Sequence, residues 1–138
     1  MRLTREQILE RGAQLQMERE LVVIPELGGD VYVRGMSGAE RDQFEEGLRV
    51  RTGRRAGQTD LRNFRARFAV RVIVDEQGQR LLEDGDIGVL GRLPASTLDR
   101  IIATCTRLSG QTEEELRDLG NASASAASDG SASHSPEN

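Results

Sequence analysis

The sequence contains no lysine, no tryptophan, one cysteine and one histidine among its 138 residues. The single Cys105 excludes an intrachain disulfide framework and is typical of a protein from a reducing cytoplasm. One cysteine and one histidine cannot supply a zinc site of the usual ligand types. All 19 basic residues are arginine, which indicates a GC-rich coding genome and says little about chemistry.

Large apolar side chains are also scarce. The aromatic residues are Tyr32, Phe44, Phe64 and Phe68. Aliphatic residues must therefore form the core, at about 1.5–3 kcal/mol for each large side chain buried. A core this modest leaves room for self-association or a partner to add stability. No stretch approaches the roughly 18 consecutive apolar residues of a membrane helix, and the N-terminal MRLTREQILERG lacks the apolar region of a secretory signal.

Three patterns of the type Ser/Thr-x-x-Glu/Gln predict helix N-termini, because the two polar side chains can cap each other's backbone. They begin at Thr4, Ser37 and Thr112. In the second predicted helix, Phe44 and Leu48 lie on one face. The third predicts a last short helix that ends near residue 119.

One region has a β pattern, with the sequence ELVVIPELGGDVYVRGMSGAERDQFE at residues 20–45. Apolar residues at 21–24 and 31–33 flank turn-forming Pro25 and Gly28–Gly29. We predict a β-hairpin over about residues 19–35. Either Leu21 and Val23 or Val22 and Ile24, together with Val31 and Val33, should pack on the central helix. The other face or the edge strand could receive a partner by strand addition or a groove contact, and a hairpin that only caps the core fits the pattern equally well.

The second half of the chain has helical periodicity. Asp60 is a good N-cap for a central helix with Leu61, Phe64, Phe68 and Val72 on one side. A turn at 75–78 should end this helix, and a short helix is expected at 84–90. A clearer apolar stripe predicts a helix over 95–108, which follows a proline and is stopped by Ser-Gly.

These elements predict an α+β, mainly α fold: about four to five helices, one N-terminal β-hairpin and a disordered C-terminal tail. We expect one small helical domain with the hairpin over residues 1–119. Residues 120–138 are rich in Ser and Ala and contain no large apolar residue, so they should not offset the entropy cost of ordering.

The sequence has little catalytic equipment. His134 lies in the expected tail, without a fixed partner for acid–base chemistry. Cys105 lies on an apolar helical stripe, which favours a buried side chain over a nucleophile. Asp84 and Asp86 lack the further ligands of an EF-hand loop. The dipole at a helix N-terminus would stabilise the negative charge of Glu113–Glu115, which favours a structural role over cation binding. No glycine pattern of a nucleotide site is present, so we expect a non-enzymatic protein without catalytic residues, metal or cofactor.

Positive charge is concentrated in one segment. Residues 49–71 contain eight arginines and one acid, a balance of +7 within a chain of net charge −4. Such a patch could bind nucleic acid. The overall acidity of the chain and the scatter of these arginines around the predicted helix favour another interpretation. We expect them to pair with Glu40, Asp42, Glu45 and Glu46 or to dock on an acidic protein partner.

The order of short motifs along the chain is more specific than any one of them. Residues 25–34 match P-x-x-G-G-x-V-x-V-R, residues 37–42 match S/T-x-x-E-R-D, and residues 74–78 match V-D-E-x-G. Residues 107–110 match R-L-S/N-G and precede an acidic helix pattern. In this order the motifs resemble those of the tail assembly chaperones of siphovirus-type phages and related prophages. The resemblance covers about residues 18–121.

The resemblance implies a non-enzymatic assembly factor in the host bacterial cytoplasm. Such chaperones bind the long helical tape measure protein, are thought to recruit tail tube subunits, and leave before the virion is complete. Many are also made in a longer form by programmed frameshifting. The Ser/Ala-rich tail would suit the linker side of such an arrangement. The alternatives are a small Arg-rich nucleic-acid-binding regulator and a structural minor tail component.

A holdase for amphipathic helices needs exposed apolar surface rimmed by charge. We therefore place candidate partner contacts on the hairpin and its neighbours, with no membrane contact expected. The candidate residues are Val22, Ile24, Leu27, Val31, Val33, Arg34, Phe44 and Arg65.

Overall fold

The computed structural model describes residues 1–110, and its N-terminal half contains the predicted hairpin. Strand β1 (Arg19–Ile24) pairs antiparallel with β2 (Gly29–Arg34), in the register that sets Leu21 opposite Tyr32 and Val23 opposite Asp30. A 3₁₀ turn at Pro25–Leu27 connects the strands and ends at Gly28, whose φ of 74° is a left-handed conformation suited to glycine.

A third strand, β3 (Ile73–Val74), was not predicted. The periodicity predicts a central helix that continues to the 75–78 turn, whereas the chain is already extended at Ile73 and pairs with β2. Ile73 lies opposite Val33, and Val74 lies opposite Tyr32. Two β-branched residues fit a strand beside β2, and this long-range pairing cannot be inferred from local periodicity. The 75–78 turn itself is confirmed, because Gly78 N–H donates to the Asp75 carbonyl at 3.0 Å.

The described residues form five helices, and the two predicted capping boxes that lie among them are confirmed. The helices are α1 (Arg5–Ala13), α2 (Gly38–Gly47), α3 (Phe64–Val72), α4 (Ile87–Leu90) and α5 (Ala95–Leu108). Thr4 and Gln7 cap each other at α1, and Ser37 and Glu40 do so at α2. A 3₁₀ turn at Asp84–Asp86 leads into α4. The third predicted capping box and the tail lie outside the described residues.

The start of α3 differs from the prediction. Asp60 does not cap this helix, which begins at Phe64 after Asn63 in a left-handed conformation. The Asp60 carboxylate instead accepts the Arg62 N–H at 3.0 Å and pairs with the Arg62 guanidinium. This local Asx-type turn satisfies Asp60 before the helix begins and leaves Leu61 outside the helical stripe.

The core lies between one face of the sheet and helices α3 and α5. Helix α3 is the central helix, as predicted, with five buried residues among its nine. Phe44 of α2 joins it through edge-on contacts with Phe64 and Phe68, at ring-centroid distances of 5.6 and 5.2 Å. The fold is therefore α+β and mainly helical.

Helix α1 contributes nothing to this core, because it contains no buried residue. Its apolar Ile8 and Leu9 are each 54% exposed. No helix among residues 1–110 combines the length and apolar character needed to cross a bilayer.

Candidate partner-binding surface

The register of the sheet decides which hairpin face is buried. Val22, Ile24 and Val33 point into the core, with exposures of 7%, 1% and 0%. Side chains alternate across a strand, so Leu21 and Val23 point to the opposite face and are 50% and 58% exposed. The sequence does not decide which face of β1 is buried. The structure shows that the face containing Val22 and Ile24 packs on the helices.

The register places some of the candidate contact residues in the core and others at the surface. Val22, Ile24, Val33 and Phe44 belong to the hydrophobic core, and Val31 packs against it partly buried. A partner that binds the folded protein does not reach the four buried side chains. Apolar character is shared by core and contact residues, so it does not distinguish the two in a sequence.

The remaining three candidates are accessible to different degrees. Leu27 lies in the hairpin turn and is 64% exposed. Arg34 is largely covered and forms a two-pronged ion pair with Glu40. Arg65 is exposed and pairs with Asp99 at 2.6 Å. Of these three residues, Leu27 is the one that adds an exposed apolar side chain to the hairpin.

We call the exposed sheet side formed by Leu21, Val23 and Tyr32 the outer hairpin face. Tyr32 is partly exposed and lies opposite Leu21 across the two strands. The Arg19 guanidinium lies 5.4 Å from the centre of the Tyr32 ring, a cation–π contact at one end of the face. Asp30, opposite Val23, places a carboxylate at the other end. The result is a small apolar patch with charge at both ends.

The free edge of β1 is occupied by side chains of α5. Arg100 Nη1 donates to the Val23 carbonyl at 2.9 Å, and Arg107 pairs with Glu20 at 2.7 Å. Charged side chains at a sheet edge oppose pairing with a further strand. This arrangement favours side-chain contact on the outer hairpin face over the strand addition considered from the sequence.

The arginines of residues 49–71 are paired differently from the expectation. Arg62 binds Asp60, Arg65 binds Asp99, and Arg67 donates to the Gly47 carbonyl at 2.6 Å. Of the four acids expected to pair with this segment, only Glu46 does so, with Arg49 at 3.5 Å. Glu40 and Glu45 pair instead with Arg34 and Arg41. Intramolecular pairing therefore occurs, mostly with other acids than those expected.

Charge pairing also shifts the acidity of two carboxyl groups in this region. The Arg34 guanidinium, which donates to Glu40, lowers the Glu40 pKa to about 2. The hydrogen bonds from Arg62 hold the pKa of Asp60 well below its usual range. Both groups are therefore charged at neutral pH.

Cys105 is buried on α5, as predicted, and burial raises the pKa of its thiol. A neutral buried thiol is a poor nucleophile. Among residues 1–110, no three His, Cys, Asp or Glu side chains gather as metal ligands.

The four short motifs of the sequence meet around β2. The first motif forms the hairpin turn and β2 itself, and its Arg34 binds Glu40 of the second motif. Val74 of the third motif pairs with Tyr32. Just after β2, Met36 N–H donates to the Ser109 hydroxyl of the fourth motif at 2.7 Å. Segments that are far apart in sequence thus form one contiguous junction.

Comparison with protein-family models gives no match, and comparison with curated proteins gives none either. A solved structure that matches is described as the tail assembly chaperone of bacteriophage HK97. The two chains are 18% identical with a TM-score of 0.48, and the match covers 75% of this chain and 94% of that one.

Proposed function

We propose that this protein is a non-enzymatic tail assembly chaperone of a siphovirus-type phage or related prophage. In this proposal it binds the tape measure protein in the host cytoplasm, helps to recruit tail tube subunits, and is absent from the mature virion. The observation that carries the proposal is the junction around β2. The four motifs that resemble this chaperone family are the segments that meet there, which is expected if they maintain a common architecture.

The outer hairpin face is the proposed site for the tape measure protein. A long amphipathic helix needs its apolar stripe covered before assembly, and Leu21 and Val23 offer exposed aliphatic surface for such a contact. Arg19 and Asp30 at the two ends can pair with charges that flank the stripe of the client. Leu27 extends the apolar surface at the turn.

The experiment is co-expression of the chain with the tape measure protein of the same genome, followed by measurement of soluble, co-purifying tape measure protein. The test variant is Leu21→Thr with Val23→Thr, which keeps strand-compatible side chains while removing apolar surface. We expect about a tenfold loss of co-purification, since two exposed contacts together contribute about 1.4 kcal/mol or more.

The matched control is Val89→Thr, which removes a similar exposed apolar group, 72% exposed, from α4. It should co-purify like the unchanged chain. Unchanged binding by the Leu21/Val23 variant would reject the outer hairpin face, and failure of the unchanged chain to bind would reject the client itself.

Two further measurements separate the alternatives. Stoichiometric presence of the protein in purified virions would indicate a structural minor tail component. A steeply salt-dependent gel shift with DNA or RNA would indicate a nucleic-acid-binding regulator that uses the arginines of residues 49–71. We expect neither result.

A further inference from the structure

A cavity of about 200 Å³ lies between the end of β2, α2, α3 and the chain that follows β3. Its lining residues are Arg34, Met36, Glu40, Gln43, Arg71 and Arg80. The three arginines come from separate elements, so the fold brings their guanidinium groups to one space. Since a water molecule takes up about 30 Å³ of liquid volume, the cavity can hold a small polar group with a few water molecules.

Two of these arginines already have an acid as partner. Arg34 forms a two-pronged ion pair with Glu40, and Arg80 Nη2 donates to Asp84 at 2.6 Å. Arg71 forms no ion pair with any acid in residues 1–110. Three positive and two negative groups therefore leave one positive charge at the cavity, and Arg71 is the arginine that carries it.

The N–H donors that remain belong to Arg71 and Arg80 rather than to Arg34. Arg34 donates from Nη1 and Nη2 to Glu40, and from Nη1 also to the Gly35 carbonyl. Arg71 donates no hydrogen bond to any residue within 1–110, so its whole guanidinium group is available. Guanidinium groups favour two-pronged binding of an oxyanion, which is therefore the ligand class that these donors fit.

Contacts with the protein hold both guanidinium groups at the cavity. Arg71 lies 5.9 Å from the centre of the Phe44 ring, a cation–π contact. Arg80 donates from Nε to the Val70 carbonyl at 3.0 Å and from Nη2 to Asp84, and its Nη1 has no partner among the described residues. Val70 directly precedes Arg71 on α3, so the Nε hydrogen bond keeps Arg80 close to Arg71. Donors held in this way lose less side-chain entropy when a ligand binds.

The excess of one positive charge decides between the possible oxyanions. Glu40 and Asp84 each lie in an ion pair beside the cavity. A doubly charged phosphate or sulfate would face these two negative groups with one positive charge in excess, whereas a singly charged group balances that charge. Carboxylates carry a single charge at neutral pH, so a carboxylate fits the site better than a phosphate.

We propose that the cavity is a binding site for one carboxylate group, which Arg71 and Arg80 hold between their guanidinium groups. Arg80 Nη1 donates to the carboxylate, and Arg71 supplies the two-pronged contact and the balancing charge. The carboxylate belongs either to a small organic acid or to an Asp or Glu side chain of a bound polypeptide. Because both sources present the same group, the site treats them alike.

The probe is sodium acetate, which replaces sodium chloride at constant ionic strength in a titration of the full chain at pH 6.5. Nitrogen–proton spectra of the arginine Nε–H groups follow the site directly, and the Arg71 resonance is assigned by its absence from Arg71→Gln. We expect a saturable shift of this resonance with a Kd of about 10 mM, the order expected for a few charge-assisted hydrogen bonds in contact with water. A shift that does not saturate would overturn the site.

Urea denaturation gives a second readout that applies to every variant. About 100 mM acetate should lower the unfolding equilibrium constant of the unchanged chain about tenfold, because the ligand binds the folded state. Arg71→Gln and Arg80→Gln should each abolish most of this effect. Arg71→Lys, which keeps the charge and loses the fork of donors, should reduce it severalfold and replaces Arg71→Gln if that variant does not fold.

The matched control is Arg92→Gln, which removes an exposed arginine that does not line the cavity. It should respond to acetate like the unchanged chain. An acetate effect of equal size in the Arg71, Arg80 and Arg92 variants would show general ion binding and overturn the proposal. Tighter binding of inorganic phosphate than of acetate at pH 8 would overturn the choice of a carboxylate.

A blocked peptide with one glutamate, acetyl-Ala-Glu-Ala-amide, distinguishes the two sources. A shift of the Arg71 resonance that acetate reverses by competition, and that the glutamine form of the peptide does not cause, would support a polypeptide side chain. Binding of acetate without binding of the peptide would support a small organic acid. Binding of neither would overturn the site.

Discussion

Gly35 is the residue at which the sheet and the last described helix come closest. It follows β2 directly, and a Cβ at this position would lie 2.8 Å from the Leu108 carbonyl carbon and 2.9 Å from the Ser109 nitrogen. Both are backbone atoms, which cannot rotate away as a side chain can. The absence of a side chain at this position is therefore what allows β2 and α5 to meet.

We expect Gly35→Ala to lower the free energy of unfolding by about 2 kcal/mol, because the added methyl group must displace backbone. Urea denaturation would measure the change. Gly88→Ala is the matched control, since a Cβ there meets nothing within 4 Å, and its effect should stay within about 0.5 kcal/mol. Equal stability of the two variants would show that α5 moves to accommodate the methyl group.

The burial of individual hairpin residues could be predicted only in part from the sequence. Alternation establishes that Val22 and Ile24 share one face and that Leu21 and Val23 share the other. Both pairs are aliphatic, so composition does not distinguish the core face. The choice depends on how β1 meets α5, where Arg100 binds the Val23 carbonyl. Contacts over this distance in sequence are not visible in a local pattern.

At the scale of whole elements, α1 and α2 have the same capping box in different surroundings. Helix α2 packs through Phe44, whereas α1 contains no buried residue. Most helical stability in proteins comes from such packing. Loss of the N-cap of α2 should therefore destabilise the whole fold more than loss of the N-cap of α1.

We expect Ser37→Ala to lower the free energy of unfolding by about 1 kcal/mol, the usual effect of losing an N-cap. Thr4→Ala should leave global unfolding nearly unchanged and speed amide exchange over Arg5–Ala13 alone. Urea denaturation and hydrogen exchange measure the two effects. A global loss from Thr4→Ala as large as that from Ser37→Ala would show that α1 is packed in solution.

Elements governed by local chemistry were predictable, and those governed by long-range pairing were not. The Thr4 and Ser37 side chains accept hydrogen bonds from the backbone N–H groups three residues further on. A local sequence pattern is therefore enough to predict both helix N-termini. Strand β3 exists because Ile73 and Val74 meet β2 about 40 positions away. Helix α3 begins later than the predicted N-cap Asp60, because the Asp60 carboxylate accepts the Arg62 N–H in a turn before the helix.

At the scale of the whole molecule, stability should fall in acid because paired carboxylates take up protons on unfolding. The pKa of Glu40 is about 2 in the folded protein, against an ordinary value of 4.5, and the pKa values of Asp60 and Asp84 are also lowered. A lowered folded pKa contributes stability that is present above the unfolded value and lost as pH falls through the folded one. For Glu40 this range runs from about pH 4.5 to about pH 2.

We expect Glu40→Gln to lower the free energy of unfolding at pH 7 by about 1–2 kcal/mol, a figure reduced for solvent screening of a partly exposed pair. The difference from the unchanged chain should shrink as pH falls from 5 to 2. Glu45→Gln, which breaks the i,i+4 pair with Arg41, is the control and should cost about 0.5 kcal/mol or less. Thermal unfolding across this pH range would check both, and a constant difference would contradict the assigned pairing.

The hydrogen bond between Met36 and Ser109 has a consequence for synthesis on the ribosome. Its partners are 73 positions apart, and α5 supplies much of the cover for the core face of the hairpin. At about 5–20 residues per second, translation needs roughly 4–15 s to pass from one partner to the other. During that interval both faces of the hairpin in the nascent chain are exposed. The core face of the hairpin can be buried completely only after α5 has emerged from the ribosome.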